Sequence, residues 1–497
     1  MTTIERATRD VQSAIEVVQA FGEPKCIQAL SRVEHELWAA LLALGRAVVG
    51  LYLATQSARP RAATYAHDGA RYALDLRRRR TSMIGTRFGK VAFSRPFGTP
   101  VGARSRADLP VDRELGLCST FSIGTVTTVV QLCALMAFSS ARGLFSQFHG
   151  WAPSTRTTLR MVDAVGAEAK RFLDTDAIPG GDGEVLVLQV DGRGAPMISS
   201  TEHARRRQPK RRSKGSRRLA RRLLRIEHPK PRRKKGDKSK NAKVAFVGVI
   251  YTLKRTRGGW EGPLNKRLYA TFDSHEALFQ RLLPIAKRRG YGRKPSYFIA
   301  DGAEHIWRNQ QKYFPDATPC VDWYHVVEKL WEAGGCLHPE GSPALRQWVE
   351  QRQTMLRKGS IPRLLEDLAA AYNAIPKTGP GNKGRRKRLF SILDYLAKHD
   401  HRMPYATLRS ADLDIGSGAV EGAVRNLVGL RLDGPGMRWG RDRAEMVLQL
   451  RCIVLNGQWD SFCAYLGGMP LKLAAAPLPA RTHDAKPQTS PDLQHAA

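Results

Sequence analysis

The stretch "EVLVLQVDG" (residues 184–192) decides the fold. It is a short, nearly continuous apolar run, opened by the turn-forming "IPGGDGE" (178–184) and closed by Asp191-Gly192. Such a run is too short for a typical helix and rich in Val and Leu, so it predicts a strand buried on both faces. Working outward, "KVAFVGVIYTL" (243–253) and "KRLYATF" (266–272) read as a second and a third strand. "SHEALFQRLLPIAKRRG" (274–290) reads as a helix with a Ser cap and a closing Gly. "SYFIADG" (296–302) is a fourth strand, again ending on Asp-Gly. A helix from "GAEHIWRNQQKYF", a fifth strand from "ATPCVD" (317–322) and a helix from "YHVVEKLWEAG" follow.

Three strands able to form a meander, then alternating helix and strand, are the order of a ribonuclease-H-like α/β core. Its first part is expected over 179–325. Residues 326–410 show helical periodicity and no strand pattern, so the core is interrupted by an all-α insertion. Closing helices are expected over 411–466, and a Pro/Ala-rich disordered tail over 467–497. Before the core, 1–57 reads as apolar helices suited to oligomerisation. Residues 58–115 read as a basic Gly/Pro-rich segment with a hairpin at "TRFGKVAFSRPF" (86–97), Gly89 taking the turn. Residues 116–178 hold two helix patterns around "HGWAPS" (149–154), an arrangement like a helix-turn-helix. The second of those helices would expose Thr155, Arg156, Thr158 and Arg160 to nucleic acid. The fold expected is therefore α/β with a mainly helical N-terminal DNA-binding region.

A chain of 497 residues has room for about three domains. It carries 81 Lys+Arg against 45 Asp+Glu, a net +36. Phosphate neutralisation releases counterions, so that balance points to a polyanion partner, with an anionic membrane surface as the competitor. Residues 205–240 alone hold 19 Lys/Arg and two acids, +17 of the total, including Arg205, Arg206, Arg207, Lys210, Arg211, Arg212, Arg232, Arg233, Lys234 and Lys235. This loop (203–240) leaves directly from the strand that carries Asp191, where dense positive charge would track phosphates. The seven cysteines (26, 118, 133, 320, 336, 452 and 463) form no C-x-x-C pair, which argues for a reducing compartment without a zinc ribbon. The N-terminus lacks a signal-peptide pattern. The apolar run 37–53 is interrupted by Arg46 and 126–138 is too short to span a bilayer. A soluble protein, cytoplasmic and nucleoid-associated, with no membrane partner is expected.

In a chain poor in carboxylates, acids at the ends of buried strands need a cationic partner. Asp191 and Asp301 close two such strands, and Glu421 lies in "GSGAVEGAVRNLVGL" (416–430), beside a stripe of Val420, Val424, Leu427 and Val428. Taken singly, Asp-Gly is an ordinary turn and Glu421 with Arg425 has ordinary helix ion-pair spacing. Together, the three acids suit a two-metal site for phosphodiester cleavage. In "CVDWYHVVEKLW" (320–331), Asp322 and His325 stand at D-x-x-H spacing, with His325 read as orienting the site or acting near the scissile phosphate. The sequence has no Walker A, dinucleotide or G-x-S-x-G motif.

"QVDG", "ADGAEHIW", "DWYHVVEKLW" and "GSGAVEG…R…GPGMRW" resemble the DDE transposases of bacterial insertion sequences, most of all the ISKra-type group, which is similar to mutator-like transposases. The resemblance is strong from about 180 to 460 and looser in "TRFGKVAFSRPF" and "LPVDRELGL". It implies Asp191, Asp301 and Glu421 as the catalytic, metal-holding triad, with Asp322 and His325 as the D-x-x-H motif. It further implies two Mg²⁺ ions, with Mn²⁺ as a substitute, and double-stranded DNA, both element ends and target, as partner. The chemistry implied is hydrolysis at terminal inverted repeats and strand transfer by a homodimer or larger assembly. One departure is visible: the paired cysteines common near "SRPFGTPVGARSRADLP" in that family are absent. DNA-end recognition then falls to basic and helical surfaces. Two rivals share part of this reading: a ribonuclease-H-like nuclease or resolvase without strand transfer, and a non-catalytic DNA-binding relative.

Overall fold

The computed structural model describes residues 3–23, 29–102, 107–175, 179–199, 201–202, 242–434, 436–469 and 471–473. At its centre is a five-stranded mixed sheet built from β4 (Val185–Pro196), β5 (Ala242–Thr256), β6 (Gly259–Thr271), β7 (Ser296–Ala300) and β8 (Thr318–Val321). The spatial order is β6-β5-β4-β7-β8. β4, β5 and β6 pair antiparallel, whereas β7 joins β4 and β8 joins β7 in parallel. The apolar runs behave as expected for strands covered on both faces: Val185 to Val190 and all of β7 are buried. The parallel crossovers are supplied by α7 (His275–Arg288), which packs on β5 and β6, and α8 (Glu304–Tyr313). Ser274 caps α7 by accepting from Ala277 N at 3.0 Å.

The outer edge of β6 would offer unpaired backbone groups. A helix near the chain's end, α16 (Arg441–Leu455), and the residue after it supply side chains to those groups. Glu445 accepts from Phe272 N, Gln449 donates to Ala270 O, and Asn456 both accepts from Leu268 N and donates to Leu268 O. The alternate residues 268, 270 and 272 are those whose backbone faces outward, so polar side chains end the sheet in place of a further strand.

Before the sheet lie α1 (Thr3–Gln19), α2 (Leu30–Ala58), a three-stranded antiparallel sheet, α3 (Pro110–Glu114), α4 (Ile123–Leu135), α5 (Phe138–His149) and α6 (Thr155–Thr175). The small sheet contains β1 (Thr64–His67), β2 (Ala70–Thr86) and β3 (Gly89–Pro100) in that order. The hairpin expected at Gly89 is its β2–β3 turn, and β2 extends back through the arginine run 77–80. Leu53, Ile84, Val91, Phe93 and Val111 close a separate small core between α2 and this sheet. Arg46 does not interrupt α2, which among the described residues is the one helix long and apolar enough to cross a bilayer by length and composition.

The helix-turn-helix expectation needs correction. Helices α4 and α6 belong to the main core, which runs from Cys118 to Leu473, and α6 packs lengthwise on α16. Thr158, expected on an exposed recognition face, is fully buried. Arg160 is half-buried and donates to Leu473 O at 3.2 Å, while Arg156 stays exposed. The amphipathic stripe of α6 serves packing, so its polar residues cannot all face a groove.

After β8 the chain is helical: α9 (Trp323–Gly334), α10 (Pro343–Arg357), α11 (Ile361–Ala374), α12 (Asn382–His399) and α13 (Tyr405–Ser410). It then returns to the sheet through α14 (Gly418–Val424), a π-turn (Arg425–Gly429) and α15 (Leu430–Leu432); α17 (Trp459–Gly467) follows α16. Behind the π-turn sit two buried arginines. Arg431, between Phe138 and Trp439, donates to Cys133 O, and Arg451 donates to Ala134 O and Asn426 O. Both thus hold the carbonyl end of α4, where cations are favoured, against the Glu421 helix.

Candidate active site

Strand register places the two aspartates side by side. Val190 pairs with Ala300 across the parallel β4–β7 ladder, so Asp191 and Asp301 follow on neighbouring strands. Adjacent strands are about 4.8 Å apart. Asp191 is largely buried, and its Oδ1 accepts from Gly192 N. Asp301 Oδ1 accepts from Ala303 N at 3.0 Å, and its carbonyl accepts from Trp307 Nε1 at 2.7 Å.

Glu421 arrives from α14, which lies across β4 and β5. The polar residue inside an apolar strand, Gln189, fixes this helix. Its Oε1 accepts from Val420 N at 2.9 Å, and its Nε2 donates to Tyr251 Oη and Gly416 O. On the other side, buried Asp322 accepts from Ser417 N at 2.7 Å and from His325 N at 3.0 Å. Ser417 Oγ donates to Glu421 Oε1 at 2.8 Å, setting the carboxylate's direction. Glu421 itself is exposed, and among the described residues it makes no ion pair with Arg425. Val420, Val424, Leu427 and Val428 are buried as their spacing predicts.

Asp191 senses both of the other acids. Burial pushes Asp191 up to about 6, the Gly192 N–H pulls it back, and the charges of Asp301 and Glu421 raise it further. His325, half-exposed, acts on Asp191 in the opposite sense, and its Nδ1 is 3.8 Å from Glu328. Asp191 and Glu421 line an open cleft of about 610 Å³ together with Arg193 and Arg425. Arg193 is partly committed to Asp433 at 3.0 Å.

Among the described residues no three His, Cys, Asp or Glu side chains already close on one point. The donors nevertheless suit hard divalent cations. Mg²⁺ takes one or two carboxylates and completes its shell with water and phosphate, so a dedicated protein cage is not required. The raised Asp191 carboxyl, beside two further acids, is what such an ion would relieve.

The structure reassigns Asp322. Both of its carboxylate oxygens are used on backbone N–H groups, so it positions α9 and α14 and does not face the cleft. Three residues went unread in the sequence. Gln189 was detectable as the polar interruption of "VLVLQV"; Ser417 lies four residues before Glu421; Tyr395 had no local signal. Tyr395, on α12, lies with its ring tilted against His325 and His399 and feels the charges of Asp301 and Asp322. Its ring lies so close that a Cβ on Gly302 would stand 2.2 Å from Tyr395 Oη. Gly302→Ala is therefore expected to displace the ring, lowering stability by about 1–2 kcal/mol in denaturant melts and reducing any activity that depends on Asp301.

Arg156 and Arg160 stand away from the cleft on α6. Arg205, Arg206, Arg207, Lys210, Arg211, Arg212, Arg232, Arg233, Lys234 and Lys235 lie outside the described residues.

No protein-family model matches the chain, and no curated protein matches it. Among solved structures it is similar to the Drosophila P element transposase strand transfer complex, at 12% identity and TM-score 0.25, over 71% of this chain and 83% of that one. A likeness that slight assigns neither fold nor partner.

Proposed function

We propose that this chain is a DDE transposase of a bacterial insertion sequence, with a ribonuclease-H-like core. The observation that supports it most is that Asp191, within β4, feels the charges of Asp301, just past β7, and of Glu421 on α14, in a chain of net charge +36. The sequence resemblance to ISKra-type transposases falls on the same residues.

Asp191, Asp301 and Glu421 would hold two Mg²⁺ ions, or Mn²⁺ in their place. Bound there, the ions would supply an activated attacking oxygen and a stabilised leaving oxygen. The chain's own groups do the rest. Gln189 and Asp322 clamp the Glu421 helix, and Ser417 aims its carboxylate. Arg425 and Arg193 give the cleft positive charge for the phosphate. His325, half-exposed and acting on the Asp191 carboxyl, would hold or pass a proton near the scissile bond. The substrate is double-stranded DNA at the element's terminal repeats and then at the target, and pairing of two ends calls for at least a dimer. The protein works in the cytoplasm, on the nucleoid, and not at a membrane. The basic run 203–240 is assigned to phosphate tracking, with Arg156 as an outlying contact.

The test is a cleavage assay of purified full-length protein with Mg²⁺ on labelled duplexes taken from both sides of its own gene. Free 3′-OH ends and products joined to a second DNA are expected. Cutting without joining identifies the nuclease or resolvase, and salt-sensitive binding without cutting identifies the non-catalytic relative.

The small N-terminal sheet offers a second basic surface. β2 bulges between Asp75 and Arg79, and Asp75 holds the bulge by accepting from the backbone N–H groups of Arg77 and Arg78. The double variant R77A/R78A should keep its melting temperature and lower the slope of log affinity against log salt by about 2 for any DNA duplex.

A further inference from the structure

A second cleft, of about 680 Å³, opens on the face of the sheet that carries Gln189 and shares Gly418 with the acidic cleft. It lies between the β5–β6 hairpin and the segment leading into α14, and its walls differ in kind from those around Asp191. Two aromatic planes stand at its sides. Trp260 is half-exposed and held in place by Nε1 donating to Ala411 O at 2.8 Å, with the Arg255 guanidinium 5.1 Å from its ring centre. Tyr324 is 61% exposed. Its ring rests on backbone, 2.7 Å from where a Cβ on Gly416 would be, so only glycine lets it lie there. Cations stand at the rim: Lys266 and Arg409 are exposed and have no carboxylate partner among the described residues. Acceptors and a hydroxyl complete the lining. Asp412 and Asp414 are exposed, and the Tyr297 hydroxyl at the floor is buried without a hydrogen bond of ordinary geometry.

Exposed aromatic faces, unpaired cations and two carboxylate acceptors around one cavity match the parts of a nucleotide. The faces stack a base, the cations meet its phosphate, and a carboxylate accepts from an exocyclic amine. A paired base presents no free face, so the cleft takes a base that has left the stack. We infer that this cleft binds one unpaired nucleotide of the DNA strand whose neighbouring phosphate lies at Asp191 and Glu421. The inference rests on the DNA-cutting function proposed above and adds how the strand is gripped beside the cut.

The test uses full-length protein and a 20-nucleotide single strand in which each position in turn is 5-iododeoxyuridine, irradiated in the complex and mapped by mass spectrometry. Cross-links to Trp260 or Tyr324 are expected, from one or two adjacent nucleotide positions when the strand is fixed in a nicked duplex. W260A and Y324A should each weaken single-strand binding about 10-fold, whereas Y324F, which keeps the ring, should bind like wild type. Melting curves check that each variant is folded. Cross-links confined to other residues, or Y324F as weak as Y324A, overturn the inference. So does loss of the cross-link to dCMP added at the concentration of the DNA, because the site would then be one for a soluble nucleotide. The outcomes separate the two assignments. Cross-links at Trp260 or Tyr324 in a protein that never cuts DNA leave the pocket standing and remove the enzyme; cutting without them does the reverse.

Discussion

Asp191→Asn should destroy DNA cutting and, in the same molecule, raise the melting temperature of the metal-free protein. Burial and the charges of Asp301 and Glu421 lift the folded-state carboxyl of Asp191 to about 6 from an ordinary 3.8. A carboxyl raised in this way contributes its full share of stability below pH ~4, where both states are protonated, and loses it as pH climbs through about 6. At pH 7.5 in EDTA the wild type therefore carries an electrostatic burden of about 1–3 kcal/mol, an upper range because the group is partly solvated. Asparagine keeps the shape and the Gly192 N–H contact but carries no charge. The variant should melt a few degrees higher than wild type at pH 7.5, and the gap should close near pH 4.5. Added Mg²⁺ should stabilise the wild type more than the variant, since ligands that bind only the folded state raise its stability by mass action. Cutting should fall at least ~10³-fold, because carboxylate ligands to the ions act in the transition state itself, while DNA affinity is retained. Wild-type cutting rates in the variant would remove Asp191 from the site, and an unchanged melting temperature would show that the Asp191 carboxylate carries no such burden in the folded protein.

Why the acids were readable in sequence, and the clamps around them only in part, has a physical cause. Asp191 and Asp301 end runs in which every residue is buried, and a charge at such a point stands out against its neighbours. The succession of strands and helices along the chain followed from alternating apolar runs and helix patterns, which are local; the spatial order of the strands was not read. Glu421 was legible because its apolar neighbours recur at helical spacing. Thr158 and Arg160 were misplaced because the same 3.6 period describes a helix on a groove and a helix on another helix. Only α16, nearly 290 residues later, decides between them. Asp322 was read as chemistry because D-x-x-H is also N-cap spacing: an Asp one residue before a helix accepts from the third N–H whether or not a substrate is near. The side chains that finish the β6 edge, Glu445, Gln449 and Asn456, carry no signal at all in a helix reading, since their partners are backbone atoms of another element. Tyr395 is equally silent, because its place over Gly302 depends on how the helical segment folds back onto the sheet.

The difference between Asp322 as a ligand and Asp322 as a clamp is measurable. Its two carboxylate oxygens accept from two N–H groups belonging to segments almost a hundred residues apart, His325 at the start of α9 and Ser417 before α14. Burial pushes its pKa up, and the two N–H groups pull it back. Asp322→Ala strips the cap from α9 and leaves the buried Ser417 N–H without a partner, which together should lower stability by about 2–4 kcal/mol. Asp322→Asn keeps one acceptor, but its amide hydrogens must face one of two N–H donors, so it should recover only part of that loss. With one clamp gone, Gln189 still ties α14 to β4, but Glu421 loses the fixed geometry that Ser417 imposes. Cutting should fall about 10- to 100-fold through misplacement, with affinity for duplex DNA unchanged and the Mg²⁺ concentration needed for half-maximal rate raised. Gln189→Leu, which releases the same helix from the other side, should do likewise, and the pair should be non-additive because they hold one element. If instead Asp322→Asn kept full stability and lost cutting as completely as Asp191→Asn, Asp322 would have to touch the ions or the reacting phosphate, and the clamp would be a consequence of that role.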